Sequence, residues 1–383
     1  MLKNYSNFFF ITNLIYKDKD DYSPKKKKKK EKKRKRKKKR KMEQQLILAY
    51  YFPQYHSIPE NDVVFGKDFT DWNLFQDENK VNTLISFNCK FPIEPPAGLG
   101  YYDPTKIEIR RQQANLAKKY GIDGFIFYHY WLENIPVMTN VLDNLLEDGE
   151  PDLPFCLCFA NESWKHCYGN IDGNGYKSFH PDGSTFRQLY DNPIAHAQYL
   201  HKIFQHKNYI KKNNSPILFV YILDSEICIY LERIEMELKY KIYFIANTSA
   251  HCIKSNFQPF LNRSFDAYSP FIAHMNHYSP LPQCLQNLPQ VYGGLVGWNQ
   301  SPRRFDHHIH DYSPEQLQEK TANDLLSMSG DSASPQIYAL FAWNEWAEGA
   351  MLEPNSIYGE GLGLAIRNAK DIVYHLLNKN NNN

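Results

Sequence analysis

In the stretch WNEWAEG, residues 343–349, Glu345 and Glu348 stand three residues apart, and Glu353 follows in the tripeptide LEP. Paired carboxyls are the working parts of glycosidic-bond chemistry: one protonates the leaving oxygen, the other acts as base or nucleophile. If the segment turns helically, the Cβ atoms of Glu345 and Glu348 fall about 5–6 Å apart on one face. Retaining glycosidases hold their carboxyls at roughly 5–5.5 Å. Two neighbouring acids also push their pKa values apart, so that one keeps its proton near neutral pH. Two solvated loop carboxylates would show the same spacing, and spacing alone does not choose. Glu353 is a third acid for the cluster.

Other polar groups are read more plainly. Asn161-Glu162 is a second acidic element, in which Asn161 also suits a helix cap. Asp224 reads as the cap of a following helix. His307, His308 and His310 lie beside Asp306 and Asp311. Their spacing fits no well-defined ligand set, so an exposed loop is expected there. No cysteine pair has zinc-ligand spacing. Neither GxGxxG after the first strand nor GxxxxGK[ST] is present, so phosphate-cradling loops find no support. No metal, nucleotide or other cofactor is expected.

The elements that must position these groups repeat along the chain. Short apolar runs rich in β-branched and aromatic residues occupy 46–52, 124–131, 155–160, 217–222, 242–247, 265–269, 294–298 and 337–346. Their unbroken apolarity suits strands buried on both faces, as in a parallel sheet. Segments of helical period fall between them at 104–120, 137–148, 192–207, 226–239, 314–328 and 360–377, while the stretches after the fifth and sixth runs are less clear. Eight strands mostly separated by helices predict an α/β fold, a (β/α)8 TIM barrel with long βα-loop insertions. A doubly wound sheet is the rival.

In a barrel, chemistry gathers where strands end on the C-terminal face. The run ends supply Tyr51, Gln54 and His56; His129, Tyr130 and Trp131; Asn161, Glu162 and Trp164; Trp298 and Arg303; and Trp343, Asn344 and Trp346 beside the two glutamates. Five of the six Trp lie at these ends, the sixth being Trp72. A hollow lined by aromatic faces and carboxylates suits a sugar, whose C–H faces stack on rings and whose hydroxyls need polar partners. Each Trp taken alone reads as core; their shared position beside acids makes them candidate platforms.

The net charge of +3 over 383 residues hides an uneven distribution. Residues 25–41 hold 16 Lys or Arg and one Glu, so the other 366 residues carry −12. An acidic body argues against a nucleic-acid surface on the folded part. Residues 1–45 are expected to be a disordered Lys-rich tail outside the fold, and 380–383 an Asn tail, leaving 46–379 for the barrel. No apolar run has the 18 or more residues of a membrane helix. Seven Cys is an odd count, and Cys156 and Cys158 sit in an apolar run, so a reduced compartment such as the cytoplasm is expected. Oligomeric state is not indicated.

Seven blocks in order carry a family resemblance: YYFPQYHSIPEND, GKDFTDW, GYYDP, YGIDGFIFYHYW, GEPDLPFCLCFANESW, GWNQSPR and FAWNEWAEGAMLEP. Over about residues 46–375 the chain resembles the WbsX-type domain, labelled a glycosyltransferase and similar to family-99 glycoside hydrolases. The resemblance implies a (β/α)8 barrel and a glycan substrate. It also implies roles: Glu345 deprotonates the sugar 2-hydroxyl to give a 1,2-anhydro intermediate, and Glu348 is the general acid and later the base. Two positions depart from the pattern: Ala347 stands where the hydrolases commonly have His, and Ser163 where relatives more often have Asn. The transferase label comes from relatives encoded with bacterial surface-polysaccharide genes. The Asp-x-Asp of metal-dependent transferases occurs only at Asp18 and Asp20, in the tail. The expected function is cleavage or transfer of α-linked, mannose-like glycosyl units with retention. The alternatives are a glycosyltransferase using an activated donor and a non-catalytic glycan-binding barrel.

Overall fold

The computed structural model describes residues 45–76, 99–165, 180–249, 251–257, 265–270, 281–299 and 311–379. The chain divides into residues 44–374, which contain the barrel, and a unit of residues 1–43 and 375–383 whose described part is the last turn of the C-terminal helix. Of the expected tails, 1–45 and 380–383, all but Gln45 lie outside the described residues; Gln45 itself is buried against the fold, so that boundary moves by one residue.

Eight parallel strands follow the apolar runs: β1 (Leu46–Tyr51), β2 (Gly124–Leu132), β3 (Phe155–Phe159), β4 (Ser215–Val220), β5 (Tyr243–Thr248), β6 (Ala267–Pro270), β7 (Tyr292–Leu295) and β8 (Ile337–Phe341). They lie in the order β6-β5-β4-β3-β2-β1-β8-β7. The remaining gap is bridged at Tyr268, whose N–H donates to Pro289 O (3.0 Å) and whose carbonyl accepts from Val291 N (2.8 Å). A sheet whose ends meet is a barrel, which excludes the doubly wound alternative. Gly124 is needed where β1, β2 and the segment before β3 crowd together: a Cβ there would collide with the Pro154 carbonyl.

Among the described residues, besides two short helices after β1 (Pro59–Phe65 and Asn73–Gln76), six longer ones accompany the strands: α1 (Ile107–Lys119), α2 (Asn140–Asp148), α3 (Pro193–Phe204), α4 (Ile227–Leu238), α5 (Pro314–Gly330) and α6 (Gly361–Lys379). Their signals are those of the sequence. Ser313 and Gln316 form a capping box on α5, and Asn192 caps α3. Asp224 accepts from the Glu226 and Ile227 N–H groups at the start of α4. Two starts differ by three residues: the helix expected from 137 begins at Asn140, because Val137 pairs with Tyr130 in a hairpin. The first helix begins at Ile107 rather than Pro104, because the Asp103 side chain bonds Thr105 N (2.8 Å) and Oγ1 (2.6 Å) and folds that stretch as a turn. Among the described residues no α-helix follows β5 or β6.

The buried side chains pack in clusters. In the barrel interior Tyr50 meets the rings of Tyr128, Phe219 and Phe341, and its hydroxyl donates to Asn247 Oδ1 (3.1 Å). Above the barrel's C-terminal end, Phe52, Tyr55, Trp72, Phe75, Tyr102, Trp346 and Met351 form a second cluster from the segments after β1 and β8. Cys156, Cys158, Cys228 and Cys252 are buried free thiols. No helix among the described residues is long and apolar enough to cross a membrane.

Candidate active site

Past β8 the chain folds into a short ribbon. Asn344–Glu345 pairs antiparallel with Ala350–Met351, and Trp346–Glu348 makes one 3-10 turn between them. A 3-10 turn repeats every three residues, so positions three apart eclipse. Glu345 caps this turn and Glu348 ends it, and the turn is tighter than the α-helical one expected. Gly349 makes the ribbon possible. Its φ is +61°, and a Cβ would collide with Asn299, whose N–H donates to Glu348 O (2.7 Å).

Neighbouring loops lock the ribbon. Asn344 Oδ1 accepts from Phe52 N (2.8 Å) and its amide donates to Phe52 O (2.9 Å), tying β8 to β1. The Tyr55 hydroxyl donates to Asn344 O and accepts from Trp346 N (3.1 Å). Glu353 is wholly buried and accepts from Trp346 Nε1 (2.7 Å), Tyr102 OH (2.8 Å) and Gln113 Nε2 (2.7 Å). Burial pushes its pKa up to about 7, against the pull of those donors.

Around the acid pair the groups are phenols, rings and another acid. Glu345 is 4% exposed and Glu348 half-buried. The Tyr128 phenol is held well above its usual range, first by burial and then by the nearby Glu345 charge. Tyr221 is raised likewise, by burial and then by Glu162, with Cys252 and Glu348 adding. Glu162 faces His251 across 3.4 Å. Tyr130 meets Trp164 edge-on at 5.3 Å, and Trp298 lies 5.9 Å from Phe341. The side of the barrel where the strands end thus carries three carboxyls among aromatic faces. Among the described residues no group of three His, Cys, Asp or Glu is placed to hold a metal ion.

The sequence-derived site list divides on this geometry. Glu345, Glu348, Tyr130, Glu162, Trp164 and Trp298 lie at the strand ends as expected of their positions. Four residues face the helix layer instead and are corrected to packing groups. Tyr51 donates to Gln113 on α1 (2.8 Å), and His129 Nε2 meets His196 Nε2 on α3 (2.7 Å). Trp131 stacks on His196 at 4.4 Å, and Trp343 packs against Phe125 and Tyr120. The reason is strand alternation: in β2, residues 127, 129 and 131 point outward and 128 and 130 inward.

Others on the list hold backbone rather than face the strand ends. Asn161 receives Ile222 N (2.8 Å) and donates to Ile222 O (2.8 Å) and Tyr190 OH (2.8 Å). Asn344 is the β1–β8 tie, and Trp346 belongs to the upper core with 1% exposure. Gln54 is buried and its carbonyl accepts from Asp71 N (3.1 Å). His56 is buried with Nδ1 at 2.9 Å from Pro53 O, and desolvation lowers its pKa. Arg303, His307, His308 and His310 lie outside the described residues. From the sequence, Tyr128 is legible as a polar residue at the end of the second strand, but it is not among the sequence-derived site residues; its alternation with Tyr130 puts both on one face. Nothing local marks Tyr221 or His251.

The family described as Glycosyltransferase WbsX matches residues 47–286 and 267–363. The chain belongs to this family. The family's description is that of a sugar-transferring enzyme. An uncharacterized protein WxcX from Xanthomonas campestris pv. campestris strain B100 is 27% identical over 348 residues, covering 82% of this chain. WxcX of strain ATCC 33913 matches to the same extent. The chain spans about half the length of these curated relatives, the match covering 48% of each. Among solved structures, a family-99 endo-α-mannosidase from Bacteroides thetaiotaomicron superposes with a TM-score of 0.54 at 13% identity, covering 87% of this chain and 98% of that one. A glycoside hydrolase-like protein gives 0.52 at 12% identity, with 85% and 94% covered. At such identities the likeness is one of fold, the (β/α)8 barrel.

Proposed function

We propose that the barrel cleaves or transfers α-linked, mannose-like glycosyl units with retention, using Glu345 and Glu348 as its acid pair. The observation that carries this reading is the ribbon after β8, where one 3-10 turn joins the two glutamates at the strand ends. Glu345, the more buried, is assigned to take the proton from the sugar 2-hydroxyl, so that O2 closes on the anomeric carbon as the leaving oxygen departs. Glu348, half-buried, is assigned to protonate the leaving oxygen and then to activate the acceptor. Tyr130, Trp164 and Trp298 supply ring faces, and Glu162 with His251 supplies polar partners for hydroxyls. The substrate class draws on the endo-α-mannosidase likeness.

The test is turnover of α-linked oligomannosides and aryl α-mannosides, with Glu348→Gln as control. Loss of an acid group of this kind lowers kcat by about 10²–10⁴-fold. An unchanged rate removes Glu348 from its role. The family's glycosyltransferase description favours a second reading, transfer from an activated donor. Product formed only with a nucleotide-activated or lipid-activated sugar, and no hydrolysis of glycans, selects it.

A further inference from the structure

Glu353 has no assigned role in the chemistry proposed above, yet its side chain is bonded to three separate segments around the ribbon. Its Oε1 accepts from Gln113 on α1, and its Oε2 accepts from Trp346 in the turn and from Tyr102 in the segment before α1. Its own N–H donates to Trp343 O (3.2 Å). We propose that Glu353 is a positioning residue for the acid pair, a buried carboxylate that clamps the turn carrying Glu345 and Glu348 to α1 and to the Tyr102 segment. This rests on the roles proposed above for the two glutamates.

The direction of every proton around Glu353 is set by a second bond. Trp346 Nε1 can only donate. The Tyr102 hydroxyl already receives Asn344 Nδ2 (3.2 Å), so its own proton is aimed at Glu353. The Gln113 carbonyl is taken by the Tyr51 hydroxyl (2.8 Å), which turns the Gln113 amide nitrogen toward Glu353. Three donors thus converge on one side chain with 0% exposure, an arrangement satisfied only by an acceptor. Charge-assisted bonds of this kind are roughly twice as strong as neutral ones. Because Asn344 bonds both Tyr102 and Phe52, the clamp continues into the tie between β1 and β8. The turn is therefore held through Trp346 by bonds that reach α1 and the Tyr102 segment.

The experiment compares three variants on an aryl α-mannoside. Glu353→Leu deletes the acceptor at similar volume. Glu353→Gln keeps an oxygen for Trp346 and Tyr102, and a rotated Gln113 amide can accept from its nitrogen. Tyr102→Phe removes one donor only. A displacement of catalytic groups near 1 Å costs about 100-fold in rate, so Glu353→Leu is expected to lose about that in kcat with KM within roughly threefold. Glu353→Gln should recover kcat to within about tenfold of wild type, as hydrogen-bond rescue requires, and Tyr102→Phe should fall between. A folded Glu353→Leu with kcat within twofold of wild type overturns the proposal, as does Glu353→Gln no better than Glu353→Leu. If Glu353→Leu does not fold, Tyr102→Phe decides: an unchanged kcat overturns the clamp. Should wild type act on no glycan, the functional reading fails and the clamp is judged on a crystal structure of Tyr102→Phe. There the Glu345 and Glu348 Cα atoms must move relative to the β8 backbone; unmoved atoms overturn it.

Discussion

The two faces of β2 carry similar residues and do opposite things. Tyr128 and Tyr130 point inward, where Tyr128 meets Tyr50 and feels Glu345 and Tyr130 meets Trp164. Their immediate neighbours His129 and Trp131 point outward into the α3 layer, where His196 shares Nε2 with His129, stacks on Trp131 and bonds the Tyr230 hydroxyl through Nδ1 (2.9 Å). Outward, the ionisable groups are neutralised by burial and serve packing: His129 is lowered to about 3 and His196 well below its usual value. Inward and on the ribbon, burial raises acidic groups instead: phenols such as Tyr128 and the carboxyl Glu353. A strand buried on both faces hides this division from any inspection of residue types.

Substitutions can break the comparison. The largest effect is expected at the ribbon: Glu345→Gln or Glu348→Gln lowers kcat by about 10²–10⁴-fold, with the urea midpoint nearly unchanged. Next comes the outward face, where Trp131→Ala is expected to cost about 3–5 kcal/mol of stability. Activity per folded molecule should then stay at the wild-type value; a specific loss of kcat would return Trp131 to the site.

The pH dependence of stability sharpens the contrast. His129 holds a folded pKa below its unfolded value, so its contribution is full above pH about 6.5 and is lost as pH falls toward 3. His196 acts in the same sense. Glu353 holds a folded pKa above its unfolded value, so its contribution is full below pH about 4.5 and is lost as pH rises through 7. Between these limits each group changes stability by at most about 1.4 kcal/mol per pH unit, with opposite signs. In urea titrations Glu353→Gln should therefore steepen the rise of stability between pH 4.5 and 6.5, and His129→Phe should flatten or reverse it. An unaltered slope in Glu353→Gln would show that Glu353 titrates near its unfolded value. The smallest effect is expected from Tyr128→Phe, which removes one hydroxyl near Glu345 and costs roughly 0.5–1.5 kcal/mol, read as a fall in kcat/KM of about 2- to 12-fold.

Much of the architecture was legible. The eight apolar runs became the eight strands and the six clear helical segments the six longer helices, because period and capping act within a few residues. A turn between Glu345 and Glu348 was legible for the same reason, although it is 3-10 and not α-helical. Trp343, Trp131, Tyr51 and His129 were misread because aromatic residues at a strand end say nothing of which face they take. Trp346 was misread because the cluster that buries it includes Trp72 and Tyr102, more than 240 residues away in the chain.

By itself the sequence determined the alternation of strand and helix and the family, which follow from local spacing and from the order of its motifs. Tertiary structure alone decided which side chain of each pair faces inward and what holds the ribbon. A strand's faces alternate with a period of two, so a shift of one residue exchanges core for site. The bond from Gln113 to Glu353 joins residues 240 apart, a meeting that exists only once the barrel has closed.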